Sequence, residues 1–271
     1  MKNDVTFVLT SCCRNDLLDR TISSFFVNNE YPIKEYILID DGEDKDKLED
    51  IRHKYQDRFK IIIEGHKGHL RCVDQVYAMV NTEFIFHCQD DWLFSGGDGF
   101  IQSSMDILEE FPDTGLVWIR RDDLEHPLLK EIHHTKTGVE FQKPVPGWLY
   151  NKEGYREGEY HEDGWFGFSF NPGLRRKSHY DMVKPYLPYG SEKRIGWKYH
   201  DLGLETVALT KNYVTHIGWG IVTIFNYGQI PFSIPPAPNI DQKMRRKKPS
   251  LVNIFLIGRV GKEVGGKPGN N

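Results

Sequence analysis

The apolar residues in the first part of the chain switch repeatedly between two periods. "VTFVLT" (5–10) is a short β-branched run and predicts a buried strand. In "RNDLLDRTISSFFVNN", Leu17, Leu18, Thr21, Ile22, Phe25 and Phe26 recur at helical spacing, with Asp16 as the expected N-cap. "EYILID" (35–40) predicts a second strand closed by "DG", and "DKDKLEDIRHKY" a charged surface helix. "KIIIE" (60–64) is a third strand. "HLRCVDQVYAMV" is a helix with Leu70, Val73, Val76, Tyr77 and Val80 on one face, and "EFIFHC" is a fourth strand. A helix around 100–110 and a strand at "GLVWI" (115–119) continue the pattern.

Apolar strands separated by helices imply an α/β fold whose mostly parallel sheet is covered on both faces. Such sheets bind ligands beyond the carboxyl ends of their strands. Thr10, Asp40, Asp41, Asp90 and Asp91 all fall there. The last two pose a physical problem. "FIFHCQDDW" (84–92) ends a core strand on adjacent carboxylates that repel each other and resist desolvation. Either the pair stands in water at the strand end, or it holds a metal ion. Its place at the end of a central strand favours a cleft.

From about 120 to 164 the alternation stops, in charged sequence that carries Gly and Pro. "WFGFSFNPG" (165–173) then predicts a strand and turn, and "SEKRIGWKYHDLG" a helix with Gly203 as its C′ residue. "ETVAL" and "YVTHIGWG" are the last predicted strands. From 226 to 271 the composition turns to Pro, Lys and Gly, which predicts an extended, partly mobile tail; "LVNIFLIGRV" within it has the pattern of a short amphipathic helix. The expected organisation is one domain over 1–225 followed by an extension over 226–271.

Composition narrows the function classes. The chain has 271 residues, of which 39% are hydrophobic and 27% charged, enough apolar material for one large soluble domain. A net charge of −4 gives no reason to expect nucleic acid as a partner. The basic cluster "KMRRKK" (243–248) reads as a solvated tail, with peripheral membrane contact as the other option. Cys12, Cys13, Cys72 and Cys88 have no zinc-ligand spacing and predict a reducing compartment. Asp4, Arg14, Asp16, Asp19 and Arg20 break any secretory apolar core near the start. No run approaches the ~18–20 apolar residues of a membrane span. The expected location is cytoplasmic.

Over roughly residues 5–220 the chain resembles the family 2 glycosyltransferases, which are inverting enzymes with the Rossmann-like GT-A fold. "FVLTSCCRND" resembles the family's first strand and turn, and "YILIDDGEDKD" its "V-D-D-G-S-x-D" strand end. "EFIFHCQDDW" resembles the strand leading into the Asp-x-Asp metal motif. "GSEKRIGWKYHDLGLETVAL" resembles the later "G-E-D-x-D…G" helix and strand, followed by "HIG". The order and spacing of these landmarks carry the resemblance, since each alone is common in surface turns.

The resemblance implies a nucleotide-binding half over 1–119 and an acceptor and catalytic half over 120–225. It implies transfer of a sugar from a nucleotide-diphosphate sugar, with UDP as the expected carrier, to a glycan or other hydroxyl acceptor. The diphosphate leaving group must be neutralised, which a tethered divalent cation does, either manganese or magnesium. By resemblance Asp91 is the metal ligand and Asp90 lies near the ribose or the metal. Gln89 departs from the motif at its first acidic position, so the site leans on Asp91 and on His216 of "HIG". Imidazole suits manganese better than magnesium, although a histidine at a strand end can also simply bond backbone. Asp41 matches the carboxylate that accepts from the donor base, with Asp40, Thr10, Ser11 and Arg14 beside it on the nucleotide side. Lys67 and Arg71 are candidates for the diphosphate or ordinary surface cations. Aligning Gly203 with the family glycine puts Glu192 at the catalytic base, or leaves it as a carboxylate favoured by the helix macrodipole. Asp163 and Trp165, in the aromatic-rich "GYREGEYHEDGWFGFSF", are candidates for an acceptor platform or for core.

Two other function classes fit part of this pattern. A nucleotidyltransferase would use acidic residues and magnesium on a similar sheet, but needs a Gly-rich basic loop after the first strand, and "TSCCRNDLL" has no glycine. A non-catalytic domain that binds nucleotide sugars or scaffolds an assembly has no need of Asp91 and Glu192.

Overall fold

Both faces of the predicted strands are apolar, and the computed structural model, which describes residues 4–120, 128–147 and 164–218, shows what covers them. The first half alternates β1 (Val5–Ser11), α1 (Asn15–Asn28), β2 (Glu35–Asp40), α2 (Lys45–Tyr55), β3 (Lys60–Ile63), α3 (His69–Met79) and β4 (Phe84–Gln89). Then follow β5 (Trp92–Phe94), α4 (Phe100–Glu110), β6 (Thr114–Trp118), β7 (His133–His134) and β8 (Glu140–Gln142). The last described elements are β9 (Gly173–Arg176), α5 (Lys177–Val183), α6 (Glu192–Asp201), β10 (Glu205–Leu209) and β11 (Val214–His216). The expected tail over 226–271, with its basic cluster, and Asp163 lie outside the described residues.

The large sheet has the order β3-β2-β1-β4-β9-β6-β10-β8-β7. Strands β3, β2, β1 and β4 are mutually parallel, as are β6 and β10, while β9 runs antiparallel between β4 and β6. Alternation along each strand divides the core in two. Val5, Phe7 and Leu9 of β1, Leu38 of β2 and Phe84 and Phe86 of β4 face one side, against Leu18, Ile22 and Phe25 of α1 and Ile101, Met105 and Leu108 of α4. Val8, Ile37, Ile39 and Ile85 face the other, against Val73, Val76 and Tyr77 of α3 and Ile195 and Tyr199 of α6. This two-sided burial is why the strands read as apolar runs.

Local chemistry accounts for several boundaries. Asp44 caps α2 by accepting from the Lys47 N–H, and Ser191 caps α6 through Arg194. Gly203, at φ +73, follows α6 as the predicted C′ residue. Asp16 does not cap α1; the helix starts two residues earlier than that cap implies, after Arg14, and Asp16 sits in its first turn. The strand expected at 165–173 forms later, as β9 over 173–176. Arginines at two of its four positions hide it from an apolar-pattern reading. Segment 165–172 is irregular but tightly packed, with Phe168 and Phe170 fully buried.

Gly173 opens β9 where neighbouring backbone leaves no room: a Cβ there would lie 2.6 Å from the Val117 carbonyl oxygen. Gly173→Ala should therefore destabilise the fold by about 1–3 kcal/mol through overpacking. Urea unfolding of the full chain measures it, and parental stability would mean that the sheet opens there without strain.

Candidate active site

Parallel strands β1, β2 and β4 end side by side, so Thr10, Ser11, Asp40, Asp41, Asp90 and Asp91 gather at one edge of the sheet. Asp40 is fully buried. Its Oδ1 accepts from the Gly42 N–H at 2.8 Å, and its two oxygens accept from the Cys13 N–H at 3.1 and 3.0 Å. Cys13 takes a left-handed conformation at φ +51, so this carboxylate pins an unusual turn between β1 and α1 to the end of β2. Asp41 accepts from the N–H groups of Lys67 at 2.6 Å and Gly68 at 2.8 Å, just before α3 begins. The Lys67 ammonium pairs with Glu64, and Arg71 is exposed in the first turn of α3.

The acidic pair is held by a cation, and that cation is Arg14. Its Nε donates to Asp90 Oδ2 at 3.1 Å, its Nη1 to Asp91 Oδ2 at 2.9 Å, and its Nη2 to Asp90 Oδ1. Ser11 Oγ donates to Asp90 Oδ2 at 2.8 Å. The Thr21 hydroxyl donates to the Asp90 carbonyl at 2.8 Å and accepts from the Trp92 N–H at 3.1 Å, which fixes the backbone between β4 and β5. Burial holds the Asp90 carboxyl above its ordinary range despite Arg14. Burial also pushes Asp91 upward, but the hydrogen bond from His216 and the charge of Arg14 outweigh it and leave Asp91 lowered. The two neighbours are thus driven apart in acidity.

His216 arrives by strand pairing. β11 runs antiparallel to β5 with His216 opposite Trp92, and the Ile217 N–H donates to the Asp91 carbonyl at 2.8 Å. The His216 Nε2 lies 3.2 Å from Asp91 Oδ2. Asp91 Oδ1 is buried with no hydrogen-bond partner among the described residues. A Cβ on Gly218 would stand 2.6 Å from Asp91 Oδ2 and 3.0 Å from His216 Nε2, so the glycine keeps that space open. Among the described residues no group of three or more potential ligands is assembled. A carboxylate and an imidazole fit a manganese-type ion that takes its remaining oxygens from a substrate and water.

Glu192 begins α6, and its Oε1 accepts from the Phe170 N–H at 3.0 Å. Burial raises its pKa, against the opposing pull of the Phe170 N–H, of Arg120 and Arg175, and of the Ser169 side chain. Arg120, buried just beyond β6, lies 5.5 Å over the Trp92 ring and 5.3 Å over Trp118. Its charge also acts on Glu192. Trp165, 7% exposed, stacks on Trp118 with centroids 5.3 Å apart and donates its indole N–H to the Phe168 carbonyl at 2.9 Å. Its ring is thus packed into the fold in this state.

Sequence reasoning placed Arg14 on the nucleotide side but missed its bridge to both carboxylates, and it missed Arg120 and Gly218 altogether. Arg14 and Arg120 each follow the carboxyl end of a strand, a positional signal that was available. Gly218's role depends on the register between β11 and β5, which no local pattern encodes.

Residues 6–181 match the family model "Glycosyl transferase family 2". A mannosyltransferase, PcManGT, from Pyrobaculum calidifontis, solved in complex with GDP-Man and Mn2+, is similar at a TM-score of 0.51 and 12% identity, over 77% of this chain and 54% of that one. TarS 1–349 of S. aureus, in complex with UDP-GlcNAc, is similar at a TM-score of 0.50 and 12% identity, over 78% of this chain and 57% of that one. The chain thus spans little more than half the length of these structures, and at such identity the likeness shows the fold, GT-A. Among curated proteins, none matches the chain in sequence. The family match runs from β1 through the acidic pair to α5, on a sheet with GT-A neighbours, and the chain belongs to glycosyl transferase family 2.

Proposed function

We propose that this family 2 glycosyltransferase moves a sugar from a UDP-sugar to an acceptor hydroxyl, with inversion and with the help of a divalent cation. The observation that supports this most is Asp91 itself: its Oδ2 meets His216 under the space that Gly218 leaves open, and its Oδ1 is buried with no hydrogen-bond partner among the described residues. A bound divalent cation would neutralise the diphosphate as it leaves. Residues 1–119 form the donor half and 120–225 the acceptor and catalytic half, ahead of the 226–271 extension.

Each residue has a distinct task in this mechanism. Asp41, ordered by the two N–H groups before α3, accepts from the donor base. Thr10 and Ser11 line the base and ribose side, and Asp40 supports them by holding the turn after β1. Asp91 and His216 would hold the cation, while Arg14 keeps the acidic pair in place. Lys67 and Arg71 stand at the positive start of α3, where a phosphate is favoured. Asp163 and Trp165 are assigned to the acceptor side. Glu192 takes the acceptor proton. As the acceptor oxygen bonds to the anomeric carbon, the bond from that carbon to phosphate breaks, the electron pair leaves with the nucleoside diphosphate, and the proton passes to the carboxylate. A carboxyl raised by burial suits this task near neutral pH. Among the described residues no helix is long and apolar enough to cross a membrane.

Asp91→Asn should weaken UDP binding in manganese by at least the about 10–100-fold that loss of an outer-shell partner costs, with little change in EDTA. Calorimetry checks this, and equal affinities in manganese would remove the metal assignment.

Glu192→Gln should lower turnover by about 10²–10⁴-fold with UDP affinity little changed, because the amide retains shape but takes no proton. Single-turnover transfer and calorimetry measure the two quantities. A mutant with most of the parental rate would exclude Glu192, and NMR showing retained anomeric configuration would exclude the single displacement.

A further inference from the structure

Arg175 is a cation in the middle of the sheet. It lies in β9 between β4 and β6 and is fully buried. Its guanidinium carbon stands 5.9, 5.4 and 5.7 Å from the ring centroids of Tyr77, Phe168 and Phe170. Nη2 donates to the Ser169 carbonyl at 3.0 Å, while Nε and Nη1 have no hydrogen-bond partner among the described residues. A buried cation with two donors unpartnered is costly to desolvate. Packing alone therefore does not explain why an arginine stands here.

The Ser169 carbonyl and the Phe170 N–H belong to one peptide group. Arg175 donates to its oxygen, and its N–H donates at 3.0 Å to Glu192 Oε1. Guanidinium, peptide and carboxylate form a chain in which each bond polarises the next in the same sense. The other titratable groups around Arg175 stay neutral near pH 7. Burial raises Tyr77 of α3, Tyr186 and, on α6, Tyr199; it lowers His87 of β4, and His69 of α3 beyond it is lowered as well. Glu192, on which the charges of both Arg175 and Arg120 act, is the carboxyl of this set.

We infer that Arg175 is a positioning residue for Glu192: through the 169–170 peptide it fixes the carboxylate at the start of α6 and holds it in the ionised form that accepts a proton. This rests on the assignment of Glu192 as the base, and the test separates the two. The first measurement is urea unfolding of the full chain between pH 4 and 9 for the parent, Arg175→Met, Glu192→Gln and the double variant. A carboxyl raised in the folded state binds its proton more tightly there than in the unfolded chain. The parent therefore loses stability as pH climbs from the ordinary carboxyl range, about 4.3, through the folded value. Removing the arginine raises Glu192 further, so in Arg175→Met the loss should extend upward by about one pH unit. His69 and His87 titrate in both backgrounds and cancel in the cycle, so Arg175→Met should show no such extension when Glu192 is already Gln. Identical pH dependence in the two backgrounds would overturn the inference. Should Arg175→Met not fold, Arg175→Gln keeps a donor for the Ser169 carbonyl without the charge and takes its place in the same cycle.

The second measurement is hydrolysis of a panel of UDP- and GDP-sugars with Mn2+ from pH 5 to 9. The acidic limb of kcat/KM should move upward by the same step in the arginine variant while donor KM holds. An inactive Glu192→Gln with an unmoved limb in Arg175→Met overturns the role of Arg175 and leaves that of Glu192. An active Glu192→Gln overturns the base assignment, and the unfolding cycle still decides whether the two side chains are coupled.

Discussion

Two carboxylates that must sit side by side at the end of a buried strand set the terms for everything built around them. Asp90 has no exposed surface and Asp91 very little. Left alone, each would be driven to protonate by the other and by burial. Arg14 resolves this by touching both, and it can do so because the turn after β1 delivers it there. That turn depends in its own right on Asp40, whose oxygens hold the Cys13 and Gly42 N–H groups. The acidic edge is therefore one construction: one carboxylate shapes the loop whose arginine makes two others tolerable.

The same constraint explains why the late strands matter more than their length suggests. β11 has three residues, yet its pairing with β5 carries His216 across more than a hundred positions to Asp91. β9 has four, and it seats Arg175 and the segment that orders Glu192. Both approaches need a missing side chain, at Gly218 beside Asp91 and at Gly173 against Val117. The long parallel strands supply the platform, and the short antiparallel ones bring in the remaining chemistry.

The legible part of this structure follows that division. β1, β2, β4, β6 and the helices between them are written in continuous apolar runs and helical apolar spacing, because both faces of the sheet are buried and the first half pairs mostly with itself. The acidic residues at the strand ends could be read from position alone. β9 was not legible, since a central strand carrying Arg175 and Arg176 contradicts the apolar rule, and its arginines are accommodated by aromatic rings, carbonyls and the Glu83 carboxylate from other segments. The partnership of Arg14 with the acidic pair, the burial of Trp165 against Trp118 and the N-terminal limit of α1 were hidden for the same reason: each is settled by contacts distant in sequence.

Charge balance gives the physical ground for proposing a divalent cation. Arg14 is raised in pKa because the attraction of Asp90 and Asp91 outweighs its burial, so its charge is already engaged within the protein. Asp91, lowered by His216 and Arg14, is the firmly ionised member of the pair. Lys67 has Glu64 as its partner, and Arg120 and Arg175 act on Glu192. A diphosphate arriving at this edge would meet a firmly ionised carboxylate with few uncommitted positive charges to offset it. An arginine freed from the acidic pair to serve the phosphates would leave the like-charged carboxylates uncompensated, so that exchange gains little. A divalent cation held by Asp91, as proposed, would offset the carboxylate and the phosphate together and leave Arg14 where the fold requires it.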